Sequence, residues 1–258
     1  MSDLVIVTWL WGSTGWRTGY GPEHVNACQR MVAKHLHVPH RFVCVTDNPE
    51  GIECETIPLW NHPVVDVERN KPNCYRRLYA FSKEAAQLFG PRFVSLDIDC
   101  LIMPGPDGRG ITPLFENDAD FKILNGWRDE RGCNPYNGSL WLMNAGARSH
   151  TWDNFDPAKS PAIAAQNKMP NGKNYYGSDQ AWIAHSNPNE PTWCREDGIL
   201  SYVRDMSHED KIPKDCRIMF FAGQRKPWTP IMSRVHPAIW KEYQKYLQID
   251  PERTCATL

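Results

Sequence analysis

At 258 residues the chain is long enough to bury a sizeable core, and one domain spanning residues 1–258 is the expectation. Its 29 basic and 30 acidic residues leave a net charge of −1, so no overall field draws it to nucleic acid or anionic lipid, which leaves only a local basic groove for such partners. Hydrophobic residues at 41% and charged residues at 23% exclude a disordered chain.

The first segment, "LVIVTWLWG" (4–12), is a nearly continuous apolar run ending in Gly, as a central parallel strand does. Its flank "MSDLVIVTWLWG" lacks a basic n-region and the length of a membrane span, so no signal peptide or span is expected and the protein is read as cytoplasmic. After the aromatic, Gly-rich "STGWRTGYGP", Pro22 opens a helix whose Val25, Cys28, Met31, Val32 and Leu36 follow the 3.6 period. Strands are predicted over 41–47 ("RFVCVTD") and 54–60 ("CETIPLW"). A single helix is predicted over 73–90, with Tyr75, Leu78, Tyr79, Ala85, Ala86 and Phe89 on its apolar stripe and Gly90-Pro91 as its stop. The strand "FVSLDIDCLI" (93–102) follows, and this alternation predicts a mostly parallel sheet flanked by helices.

The second half is less regular. Strands are expected at 140–146 and 216–223, a short helix at 179–186, a loop-rich excursion at 151–175 and an amphipathic helix at 237–249, with Ile239, Tyr243, Tyr246 and Leu247 on one side. The nine cysteines form no C-x-x-C pair and read as reduced structural thiols. "HLHVPH" (35–40) sits at a helix end without a partner cluster and reads as structural, not metal-binding. Eleven Trp and nine Tyr fit either ring-stacking surfaces or an aromatic core.

Two acids inside an apolar strand demand an explanation, because a buried charge costs several kcal/mol unless paired or metal-bound. Asp97 and Asp99, two apart, share a strand face at the carboxyl end of the run, the edge where open α/β sheets bind ligands. Such a pair can hold a hard divalent cation and through it a diphosphate; the competing reading is a pair of loop-capping acids salt-bridged to arginines.

An apolar strand ending in D-x-D resembles the nucleotide-sugar site of GT-A glycosyltransferases. "YNGSLWLMNAG", "GSDQAW" and "FFAGQRKPW" follow in the order of the glycogenin and bacterial galactosyltransferase group, a family 8-like, retaining set that uses Mn²⁺ and a UDP-sugar. "VTWLWG", "YGPEHVNACQRMVAKHL" and "RFVCVTDNPEGI" also resemble bacterial and phage relatives of that group. The likeness runs from about residue 4 to residue 228.

The resemblance implies a GT-A type, Rossmann-like α/β fold with a nucleotide-binding half (1–102) and an acceptor-binding half (103–258). It makes Asp97 and Asp99 the ligands of Mn²⁺ or Mg²⁺ and of the donor diphosphate, with Asp99 the more direct. It places Thr8 and Trp9 at the nucleotide base, and Arg77, with Arg76 or Lys71 as alternatives, at the donor phosphates. Gly223, Lys226 and Trp228 match the closing G-x-x-K-P-W, whose lysine contacts the diphosphate. Asn137, Asp179 and Gln180 fall at the reacting end, where Asp179 also reads as a helix N-cap. The family's metal-binding His, three residues before Gly223, is Phe220 here. The metal is then held by the two acids alone, helped by another ligand such as His236, or dispensed with.

The expected partners are a nucleotide-sugar donor and an acceptor that is a glycan, protein, small molecule or modified nucleobase. Three other readings are weighed. A haloacid-dehalogenase-type phosphotransferase also ends a strand in D-x-D, but it leaves the Lys226-Pro-Trp motif without a place. A degenerate nucleotide-sugar or glycan-binding protein would follow from Phe220. A phage enzyme acting on modified DNA is disfavoured by the neutral charge.

Overall fold

The computed structural model describes residues 4–12, 19–60, 74–126, 134–176, 179–206 and 211–247. Ten strands are present in them: β1 (Leu4–Leu10), β2 (His40–Thr46), β3 (Glu55–Pro58), β4 (Arg92–Leu96), β5 (Cys100–Ile102), β6 (Phe121–Asn125), β7 (Tyr136–Asn144), β8 (Thr192–Trp193), β9 (Ile199–Ser201) and β10 (Ile218–Phe220). They form a seven-stranded sheet ordered β3-β2-β1-β4-β7-β6-β8 and a three-stranded sheet ordered β5-β10-β9. In the large sheet only β7 runs against its neighbours; the β3–β2, β2–β1, β1–β4 and β6–β8 pairs are parallel.

Burial on both faces explains the continuous apolar runs. Leu4 and Ile6 of β1 enter one core, with the helices Pro22–His35 and Pro237–Leu247, while Val5, Val7 and Trp9 enter the other, beneath residues 75–89 and the helix Asp179–Ser186. Every residue of the stripe predicted for the first helix, Val25 through Leu36, is buried.

Two elements differ from their sequence pattern. The helix expected over 73–90 is a 3₁₀ turn (Tyr75–Phe81) followed by a short α-helix (Ala85–Phe89), separated where Ser82 adopts extended backbone. Three residues per turn put Tyr75, Leu78 and Phe81 in register, all buried, and leave Tyr79 partly exposed. The same pitch turns Arg77 inward.

The strand expected over 93–102 breaks after Leu96. β4 belongs to the large sheet and β5 to the small one, so Asp97, Ile98 and Asp99 form the joint between sheets. Their backbone finds partners outside any ladder: Asp97 N–H donates to Ser139 O at 2.9 Å, and Asp99 O accepts from Phe221 N–H at 3.0 Å. The excursion at 151–175 carries two short helices, His150–Asp153 and Ser160–Ala164, and one Lys168/Asn174 bridge. β6, β8 and β9 were not anticipated; β6 and β8 pair across a long stretch of sequence, Ile123 with Thr192, and β8 and β9 are two and three residues long.

Candidate active site

A cavity of about 480 Å³ opens at the carboxyl ends of β1, β2 and β4. Strand order reverses between β1 and β4, and a crevice at such a switch point is the usual ligand site of an open α/β sheet. Trp9 to Gly12 at the end of β1, Thr46 to Asn48 at the end of β2, Tyr20, Arg77 and Asp97 to Asp99 line it.

On one side Arg77 gathers the acids. Its Nη1 donates to Asp97 Oδ1 at 2.7 Å and to Gly138 O at 3.1 Å, and its Nε donates to Asp179 Oδ2 at 2.8 Å. Burial alone would lower the guanidinium, but Asp179 and Asp97 outweigh it and hold Arg77 above its ordinary value. Gly138 permits this: a Cβ there would lie 2.8 Å from Arg77 Nη2. The β6–β7 register shifts here, so that Leu124 faces Asn137 one step after Ile123 faces Trp141; this bulge re-aims the Asn137–Ser139 segment. Asn137 Oδ1 accepts from Ser139 N–H at 2.8 Å, and Gln180 Oε1 accepts from Gly138 N–H at 3.3 Å. Asp179 begins the helix Asp179–Ser186 and is buried. Arg76 turns the other way, donating to Trp60 O at 3.3 Å. Lys71 lies outside the described residues.

On the other side Asp99, 8% exposed, is held by Lys226, which has no exposed surface. The Lys226 ammonium donates to Asp99 Oδ2, and to Phe221 O at 2.5 Å. Tyr20 O–H donates to the same Asp99 oxygen at 2.9 Å. Burial pushes the Asp99 carboxyl up from the usual range, and Lys226 pulls it back. Gly223, at φ +81°, turns the chain so that Lys226 can reach inward, and Trp228 stacks on His24 at 3.9 Å between ring centroids. Lys226 therefore lies beneath Asp99 and does not itself line the cavity.

Other expected residues are placed differently. Thr8 is fully buried, its hydroxyl donates to Leu96 O at 2.9 Å and it does not line the cavity; its inward direction follows from alternation along β1. Trp9 reaches the cavity, fixed by its indole N–H on Ser95 Oγ at 2.8 Å and by Trp60 and Phe89 against its ring. Trp11 and Tyr20 also line the cavity; Tyr20 belongs to the loop "GSTGWRTGYG", whose aromatic residues suit the walls of a base or sugar site, whereas Trp11, at the end of the first apolar run, was not singled out. His236 meets the Tyr202 ring edge-on, and among the described residues no three His, Cys, Asp or Glu side chains form a group able to hold a metal. In "HLHVPH", His35 Nε2 meets Tyr246 Oη at 3.0 Å, and His37 and His40 meet the backbone oxygens of Lys34 and Val38.

The implied Mn²⁺ or Mg²⁺ can be tested against these residues. Hard divalent cations take about six oxygen ligands. Here Asp97 is engaged by Arg77, Asp99 by Lys226 and Tyr20, and Phe220 is a buried β10 residue with no donor atom. The donor set does not fit, and no chemical step below passes through a metal.

No family model matches the chain, and no curated protein matches it significantly. Solved structures do share its architecture. The galactosyltransferase LgtC, in complex with donor and acceptor sugar analogues, superposes over 97% of this chain and 99% of its own at a TM-score of 0.57 and 13% identity. The glycosyltransferase GlyE of Streptococcus pneumoniae TIGR4 matches 96% of this chain and 62% of its own, with TM-score 0.55 and 13% identity. A glycosyltransferase involved in glycosylation of the major capsid of PBCV-1 matches over 96% and 100%, with TM-score 0.51 and 11% identity. The mostly parallel seven-stranded sheet flanked by helices is the GT-A glycosyltransferase fold.

Proposed function

We propose that the chain is a glycosyltransferase that moves a sugar from a nucleotide-sugar, UDP-linked by resemblance, to an acceptor, with retention. The observation that carries this reading is the assembly of Asp97, Arg77, Asp179 and Gly138 into one hydrogen-bonded network beside the switch-point cavity of a GT-A sheet. The network draws on both halves of the chain, which supports one catalytic domain with the nucleotide side in 1–102 and the acceptor side in 103–258. In this reading the protein works in the cytoplasm, where its nine cysteines, which form no C-x-x-C pair, stay reduced.

In this reading Trp9 and Trp11 offer ring surface to the base, and Arg77 fixes Asp97 and Asp179 around the sugar. Retention needs no side-chain nucleophile: the leaving diphosphate accepts the acceptor's proton on the face it departs from. The reading gives the Gln180 and Asn137 amides, held by Gly138 N–H and Ser139 N–H, the role of supplying oxygen and amide dipoles to an oxocarbenium-like state. This is rate enhancement by positioning and electrostatics.

A thermal-shift screen of UDP-, GDP- and ADP-sugars followed by donor hydrolysis tests the proposal. One donor should raise the melting temperature by mass action and be hydrolysed slowly without acceptor. Stabilisation by none would sink it. A second reading, a binding protein that retains the donor site but not turnover, is favoured by Phe220 and the occupied Asp99; stabilisation without hydrolysis or transfer would select it.

A further inference from the structure

We infer that Lys226 is the resident cation at Asp99: its ammonium takes from beneath the carboxylate oxygen that a divalent ion would need, and the chain binds a nucleoside diphosphate without such an ion. The inference rests on the glycosyltransferase reading and deepens it. Asp99 Oδ2 already accepts from two donors, Lys226 Nζ and Tyr20 O–H. Lys226 has no solvent exposure, so its charge is not a surface charge that swings away at no cost. A divalent ion claiming Asp99 would strand that ammonium beside one carbonyl, Phe221 O.

The lysine is also fixed from behind. Its carbonyl accepts from the Thr229 hydroxyl at 2.7 Å and from Thr229 N–H at 3.0 Å. Trp228 is stacked on His24 and lies edge-on to Tyr20, 5.4 Å between centroids, so the ring that follows Lys226 locks the tyrosine that shares Asp99. Phe220 completes the case: it pairs with Cys100 at the β5–β10 ladder next to Asp99 and offers no lone pair. Asp97 is also paired, though it shares the one charge of Arg77 with Asp179. With two buried cations set against these three acids, the cavity repels a diphosphate less than bare carboxylates would, and a lysine serves as a compact point charge.

The test uses the full chain and three probes, UDP, GDP and ADP, titrated calorimetrically in EDTA and in MnCl₂, with the electron paramagnetic resonance signal of Mn²⁺ followed in parallel. At least one nucleotide should bind with a Kd that agrees within about twofold between the two buffers, and the free Mn²⁺ signal should be no lower with protein and nucleotide than with the same nucleotide alone. Lys226→Met, checked for native circular dichroism, should bind that nucleotide about tenfold more weakly in EDTA and recover part of the loss in Mn²⁺. Nucleotide binding that requires Mn²⁺ in the wild type, with loss of free Mn²⁺ signal that Asp99→Asn abolishes, overturns the inference and leaves the glycosyltransferase reading standing. Binding of no nucleotide in either buffer overturns that reading and the inference with it. If Lys226→Met does not fold, the wild-type titrations decide.

Discussion

Arg77 and Lys226 are both buried cations beside one cavity, yet they are built differently. Arg77 spans two carboxylates and a carbonyl with a rigid fork, and joins the 3₁₀ turn, the sheet joint and the helix Asp179–Ser186. Lys226 meets one carboxylate and one carbonyl as a point charge, at the end of a turn anchored by aromatic rings. The guanidinium fixes a geometry; the ammonium fixes a charge. Of the two, the Arg77 cluster should fail more severely when its cation is removed.

Arg77→Met leaves Asp97 and Asp179 facing each other without a cation, one of them 2% exposed. The expected loss is about 3–5 kcal/mol of unfolding free energy, read from urea midpoints, and sugar transfer should fall below detection. Arg77→Lys should restore little of either, because an ammonium cannot span both acids. Equal rescue by lysine would erase the distinction between the clusters.

Lys226→Met should cost about 2–3 kcal/mol, less than Arg77→Met because Tyr20 still donates to Asp99 and burial already favours protonating that acid. Adding Asp99→Asn removes the stranded charge, so the double variant should regain at least about 1 kcal/mol over the single one. Strict additivity of the two changes would show that the pair is not coupled.

His35 supplies a third buried basic group, this one with a neutral hydroxyl, Tyr246 Oη, as its direct partner. Burial and then Lys34 lower it to about 4, against the opposing pull of Glu242, while His37 adds to the lowering. Because the folded value lies below the unfolded 6.5, the unfolded chain binds more protons between them, and stability present above pH 6.5 is lost as pH falls toward 4. The step from pH 7 to pH 5 should cost about 2 kcal/mol, and His35→Gln should flatten it. An unchanged slope in His35→Gln would assign the acid sensitivity elsewhere.

These contrasts bear on what could be read in advance. β1, β2, the helices Pro22–His35 and Asp179–Ser186 and the core stripe of the C-terminal helix were legible because each carries its own period or end signal. β8 and β9 were not, since two or three residues carry no period and owe their extension to distant neighbours. Asp97 and Asp99 drew notice by being acids in an apolar run, but the break between them and the strand depends on Ser139 and Phe221, which no local pattern reveals. Arg77 could not be separated from Arg76 by helical period because the segment is 3₁₀. Tyr20 shares Asp99 across a sequence separation of 79 residues, and its partnership is visible only in three dimensions.

The smallest expected effect isolates how Lys226 is aimed. Gly223 holds φ +81°, a region where a side chain is strained, yet a Cβ there would meet nothing within 4 Å. Gly223→Ala should therefore cost only the backbone term, about 1 kcal/mol, with no steric addition. If the turn relaxes toward negative φ to relieve that strain, Lys226 is drawn away from Asp99 and nucleotide affinity in EDTA should fall along with stability. A loss of stability with unchanged affinity would mean that Trp228, stacked on His24, aims the lysine without help from the glycine.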